Sequence, residues 1–136
     1  MSRRARLCKL LLVENHAGSA KAIARQLSQK GHEVRVAGSY SEAIAAAVRQ
    51  RFDMLVVDFH LHDGDGCLLL AEIRAMYPVA AVAVTGSGET DERRRAAKAG
   101  FDAFLLKPVD VDSLESTLQI VKPMCLAETE PGLKDP

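Results

Sequence analysis

Short apolar runs alternate along the chain with stretches whose apolar residues recur at helical spacing. Met54-Leu55-Val56-Val57 runs unbroken into Asp58, followed by Phe59-His60-Leu61-His62-Asp63-Gly64-Asp65-Gly66. An uninterrupted apolar run bounded by turn residues predicts a strand buried on both faces, as in a parallel sheet. Leu10–Val13 reads the same way and ends at Glu14-Asn15-His16. Val79–Val84 ends at Thr85-Gly86-Ser87-Gly88, and the shorter Ala103–Leu106 at Lys107-Pro108. Glu33–Ala37 instead alternates, with Val34 and Val36 on one side, as an edge strand does.

Between these runs lie the helices. Ala20, Ile23, Ala24 and Leu27 fall at helical spacing, and Gly31 follows as a stop. Ser39-Tyr40-Ser41-Glu42 fits a capping box opening a helix to about Gln50, with Ala43, Ile44, Ala47 and Val48 inward. Further helices are expected from about Cys67 to Met76 and from Asp91 to Ala99, the latter stopped by Gly100. A last one, capped by Asp110 or Asp112, should reach about Val121 and be broken by Pro123. Strand–helix alternation of this kind predicts an α/β fold: a doubly wound, five-stranded parallel sheet with helices on both faces. The order 2-1-3-4-5 sets the ends of the first and third strands side by side at the switch point, where such flavodoxin-like sheets bind ligands.

Composition narrows the function. The 136 residues suit one domain, and 48% hydrophobic with 26% charged residues is globular. Eighteen basic and eighteen acidic side chains cancel, so nothing draws the chain to nucleic acid or an anionic membrane. Aromatics make up 4% with no Trp, too few for base-stacking platforms. Cys8, Cys67 and Cys125 are odd in number and far apart, which argues against a disulfide framework or zinc site and for a reducing cytoplasm. Leu7–Val13 is short, contains Lys9 and runs into Glu14, unlike a signal peptide, and no run approaches a membrane span. Residues 1–7 read as a lead-in, 8–122 as the domain and 123–136 as a tail or linker.

The candidate chemistry lies at successive strand ends: Glu14-Asn15, Asp58, Thr85 and Lys107. Grouped carboxylates repel unless a cation neutralises them, and oxygen ligands suit Mg²⁺. An ammonium and a hydroxyl can hold the other oxygens of a phosphoryl group. This set supports attack by a carboxylate on a phosphoryl donor, giving an acyl phosphate.

From about Cys8 to Val121 the chain resembles the receiver domain of two-component response regulators. The resemblance rests on Leu11-Leu12-Val13-Glu14, on Asp58 with its Gly64-x-Gly66 loop, on Thr85-Gly86 and on Lys107-Pro108. The strand order above is that of receivers and is carried over from them. The resemblance implies that Asp58 accepts a phosphoryl group from a phosphohistidine of a sensor histidine kinase or histidine phosphotransfer domain. It implies Mg²⁺ at Glu14, Asp58 and the main-chain carbonyl of His60, and phosphoryl contacts from Thr85 and Lys107. Thr85 would then move inward and Phe104 follow, altering the face of the fourth helix, fifth strand and fifth helix for a downstream protein. A cis Lys107-Pro108 bond is also implied. The module is a switch rather than an enzyme, touches neither nucleic acid nor membrane, and leaves room for a homodimer.

Four departures matter. Asn15 stands where receivers usually carry a second acid, a metal ligand often acting through water, so Mg²⁺ should bind more weakly. His62 replaces a frequent Pro, Phe104 a commoner Tyr, and His60 lies where receivers tune acyl-phosphate lifetime. The rival reading is a pseudo-receiver, a phosphorylation-independent interaction module. An aspartyl-phosphate phosphatase would need an acid where His60 stands, and zinc hydrolysis would need an acid at Gly64. Further zinc ligands would have to come from His16 or His32, and His32 is expected at the opposite edge of the sheet. Arg93-Arg94-Arg95 reads as a solvated helix face in preference to a partner surface.

Overall fold

The computed structural model describes residues 8–129, with side chains described to residue 121. In chain order the elements are β1 (Lys9–Val13), α1 (Ala17–Gln29), β2 (Glu33–Ala37), α2 (Tyr40–Arg49), β3 (Met54–Asp58), β4 (His60–Leu61), β5 (Gly64–Asp65), α3 (Gly66–Arg74), β6 (Ala80–Thr85), α4 (Thr90–Ala99), β7 (Ala103–Leu106) and α5 (Val111–Thr129). Five strands form a parallel sheet in the order β2-β1-β3-β6-β7. This is the expected α/β architecture, with the short pair β4–β5 added. The lead-in and the last residues of the tail lie outside the described residues.

Side-chain alternation along the strands builds two cores, one on each face. Leu11, Val13, Leu55, Val57, Ala81 and Ala83 pack beneath α2, α3 and α4 with Leu69, Leu70, Ile73 and Phe101. Leu10, Leu12, Met54, Val56, Val82 and Val84 pack on the other face with Ala20, Leu27, Leu114 and Leu118 of α1 and α5. Every residue of β3 is buried, which is why its sequence is apolar without alternation.

Local chemistry sets most boundaries. Ser39 caps α2 by accepting the Glu42 N–H, and Asp65 caps α3 by accepting the Cys67 N–H. Gly31 and Gly100 take φ of 103° and 97°, the left-handed conformation that ends a helix cheaply. Asp110, not Asp112, caps α5: its Oδ1 accepts the Ser113 N–H at 2.8 Å.

Two expectations need correction. Pro123 does not break α5, which continues to Thr129; a proline removes one N–H from the ladder and favours a kink without forcing an end. The inward face of α2 is Ala43, Ala46 and Ala47, with Ile44 partly buried against the same core as expected, while Val48 is 66% exposed. Residues 43, 46 and 47 share one helical stripe, and the next position rotates away from it. On β2, at the edge of the sheet, Val34 and Val36 lie on one side as expected, Val34 packed against the α1/α5 core and Val36 41% exposed.

Candidate functional site

Strand register brings the distant segments to one rim. Val13 pairs with Val57, so Glu14 and Asp58 emerge side by side. Asp58 pairs with Val84 and Thr85 with Leu106, which steps Thr85 and Lys107 onto the same edge. Alternation then sorts these side chains between the faces. Glu14, Asp58 and Lys107 share parity with the α1/α5 layer, whereas Thr85 shares parity with Ala81 and Ala83 and meets α4.

The Lys107 ammonium sits between the two acids, with Nζ 3.0 Å from Asp58 Oδ2 and 3.2 Å from Glu14 Oε1. Both carboxylates are nearly buried, their side chains 7% and 5% exposed, while Lys107 is 37% exposed. The remaining oxygens accept main-chain donors: Asp58 Oδ1 takes the His60 N–H and Glu14 Oε2 the His16 N–H, each at 3.0 Å. Burial alone would depress the Lys107 pKa, but the hydrogen bond and charge of Asp58, joined by Glu14, outweigh it and hold the ammonium above its usual range. The Lys107-Pro108 peptide is cis, as the resemblance implied.

Thr85 is fully buried and does not reach toward Asp58. Its Oγ1 donates to Glu92 Oε1 at 3.0 Å and accepts the Ser87 N–H at 3.2 Å. The other Glu92 oxygen, Oε2, meets His60 Nε2. Glu92 thus links the end of β6, the first turn of α4 and the residue two places after Asp58. Sequence reasoning passed over it, because an acid in a helix's first turn reads as ordinary dipole pairing. Its spacing from Thr85 carries no separate signal.

Asn15 is exposed at the same rim. Two buried carboxylates that already draw an ammonium between them suit a hard cation. Among the described residues no three His, Cys, Asp or Glu side chains converge to hold a metal. A cation here would therefore complete its shell from main-chain oxygen, Asn15 and water, the habit of Mg²⁺. The residues fit that ion and no all-carboxylate cage. His32 lies at the opposite end of the sheet, bonded to the Cys8 N–H, so no histidine cluster forms with His60 and His62.

The family model for the response regulator receiver domain matches residues 10–119. The chain belongs to the response regulator receiver family. It is 32% identical over 106 residues to the transcriptional regulatory protein GlrR of Escherichia coli, a match taking in 77% of this chain and 24% of that protein. It is 28% identical over 112 residues to the sensor histidine kinase RcsC of Salmonella typhi, covering 82% of this chain and 12% of the kinase. The chain thus spans a quarter or less of these relatives. A solved response regulator from Burkholderia pseudomallei, described with a phosphorylated aspartic acid, a calcium ion and citrate, superposes with a TM-score of 0.78 at 29% identity, covering 94% of this chain and 75% of that one.

In this receiver all three consecutive arginines are exposed, as a solvated helix face requires, and two of them also lie over rings. Arg93 stacks over Phe104 at 5.0 Å and Arg95 over Phe59 at 5.2 Å, while Arg95 also pairs with Asp65 at 2.7 Å. Arg94 pairs with Asp91 at 3.7 Å. Ala96 is the one buried residue of α4 and Ala99 packs partly buried against the same core, so the charge contacts add to a small apolar seam.

Proposed function

We propose that this receiver is a phosphoacceptor switch, phosphorylated on Asp58 by a phosphohistidine of a sensor histidine kinase or phosphotransfer domain. One observation carries the reading: the Asp58 carboxylate ends the central strand beside a second buried acid, with Lys107 bridging the two. A carboxylate oxygen of Asp58 attacks phosphorus, and the bond from phosphorus to the donor's imidazole nitrogen breaks with its electron pair returning to the ring. Asp58 gains an acyl phosphate, and the donor histidine is regenerated. Lys107 moves from the carboxylate pair to the incoming phosphoryl oxygens. Glu14, Asp58, the His60 main-chain carbonyl and Asn15 would hold Mg²⁺, which supplies charge neutralisation at the phosphoryl group.

The new charge, nearly two negative units, biases the face made by α4, β7 and α5 toward a downstream protein. We read the module as a signalling domain rather than an enzyme, working in the cytoplasm. Among the described residues no helix is long and apolar enough to cross a membrane. The second reading, a phosphorylation-independent pseudo-receiver, is favoured by Asn15 alone, which removes one metal-site charge.

Incubation with Mg²⁺ and a small acyl phosphate, followed by intact-mass measurement, separates these readings. A phosphoryl adduct in the wild type that disappears in Asp58→Ala supports the switch. Absence of any adduct supports the pseudo-receiver, and sustained turnover of phosphate esters would instead mean a phosphatase.

A further inference from the structure

We propose that Glu92 is a positioning residue of the site, holding the Thr85 hydroxyl away from Asp58 and competing with a phosphoryl group for its single proton. The inference rests on reading Asp58 as the phosphoacceptor. Thr85 has one O–H donor and it is committed to Glu92 Oε1 at 3.0 Å. A phosphoryl oxygen at Asp58 can recruit that donor only if Glu92 gives it up, so the two contacts exclude each other.

Glu92 is well placed to compete. Its side chain is 14% exposed, so its bonds are less screened than those of a surface acid. Oε2 is fixed by His60 Nε2, which aims Oε1 at Thr85. A first-turn acid serving only the helix dipole would point at free main-chain N–H groups. Here both oxygens are turned to side chains of other elements. The α4 cap position, Glu89, makes no side-chain capping bond, which leaves Glu92 as a tie between that turn and β6. Release of Thr85 therefore also frees the start of α4, coupling the phosphoryl contact to the helix next to it. Through His60, the same carboxylate senses the segment that directly follows Asp58.

Titration with beryllofluoride in the presence of Mg²⁺ tests the competition. Glu92→Ala should bind beryllofluoride about tenfold more tightly than the wild type, the scale of one charge-assisted hydrogen bond. Glu92→Gln keeps a carbonyl acceptor for Thr85 and should stay within about twofold of the wild type on the same argument. In a Thr85→Ala background the Glu92→Ala gain should vanish, because it acts through the hydroxyl. Three-bond couplings to the Thr85 methyl carbon, measured without beryllofluoride, should report one rotamer in the wild type and Glu92→Gln, and averaging in Glu92→Ala. Unchanged or weaker binding in Glu92→Ala overturns the proposal, as does a gain that survives Thr85→Ala or an averaged rotamer in the wild type. Wild-type protein that ignores beryllofluoride while Thr85 loosens in Glu92→Ala overturns the phosphoacceptor reading and leaves the hold of Glu92 on Thr85 standing.

Discussion

His32 and Glu115 join parts of the chain that are remote in sequence: His32 Nε2 lies 2.7 Å from Glu115 Oε1, with the imidazole fully buried. On its other side Nδ1 accepts the Cys8 N–H at 3.0 Å. The ring therefore carries its proton on Nε2 and donates it to Glu115. One side chain ties the starts of β1 and β2 to α5.

His32→Ala removes the acceptor of a buried N–H and leaves a cavity, so it should lower stability by about 2–4 kcal/mol. Glu115→Gln keeps a carbonyl acceptor and should cost less than about 1 kcal/mol. Urea unfolding followed by circular dichroism gives both values, and equal losses would count against this account.

Gly64 is required by contact. A Cβ there would stand 2.3 Å from Cδ2 of Tyr40, whose hydroxyl donates to Glu72. Gly64→Ala should therefore expel the Tyr40 ring and cost about 1–3 kcal/mol by overpacking. In Tyr40→Ala the ring is gone and only the Cβ of residue 40 remains, 3.0 Å from the added methyl, so the same change should cost clearly less. A double-mutant cycle by urea unfolding checks this coupling, which additivity of the two losses would refute.

The two tyrosines give a pH prediction. Burial, then the hydrogen bond and charge of Glu72, push the Tyr40 phenol up to about 12; burial also raises Tyr77. A raised folded pKa stabilises below the unfolded value, near 10, and that contribution is lost as pH climbs through the folded value. With no Trp in the chain, absorbance at about 295 nm follows the phenolates directly. In folded protein the Tyr40 step should be absent at about pH 10. It should come at about pH 12, with stability falling between about 10 and 12. A full step near 10 without unfolding would contradict it.

Asn15→Asp should tighten Mg²⁺ binding by about tenfold, because it restores a negative charge beside Glu14 and Asp58. Calorimetric titration of both proteins decides it, and equal affinities would show that position 15 takes no part.

The sheet and its rim were legible because a strand buried on both faces has to be continuously apolar, as Met54–Val57 is, and ends where Asp58 begins. The grouping of Glu14, Asp58 and Lys107 followed from strand ends alone. Thr85 was harder: its position on the rim is local, but which layer it faces depends on parity within β6, and its partner lies on another element. His60 and Glu92 meet across 32 residues, and the β4–β5 pair is made by the Asp63-Gly64 turn packing on Tyr40 and Ser41. The bonds made by Glu92 and His32 have no periodicity to betray them. Pro123 misled because a strong local preference was read as a rule.

Helix α4 has a consequence of its own. A segment fastened by guanidinium groups over rings and by carboxylate links, with little beyond Ala96 and Ala99 for hydrocarbon anchorage, should respond to dissolved ions as well as to phosphate. Its amides should exchange with deuterium sooner than those of α3, and added sodium chloride should widen that gap. Ionic strength should then set the resting looseness of the helix bonded to Thr85, before any signal arrives.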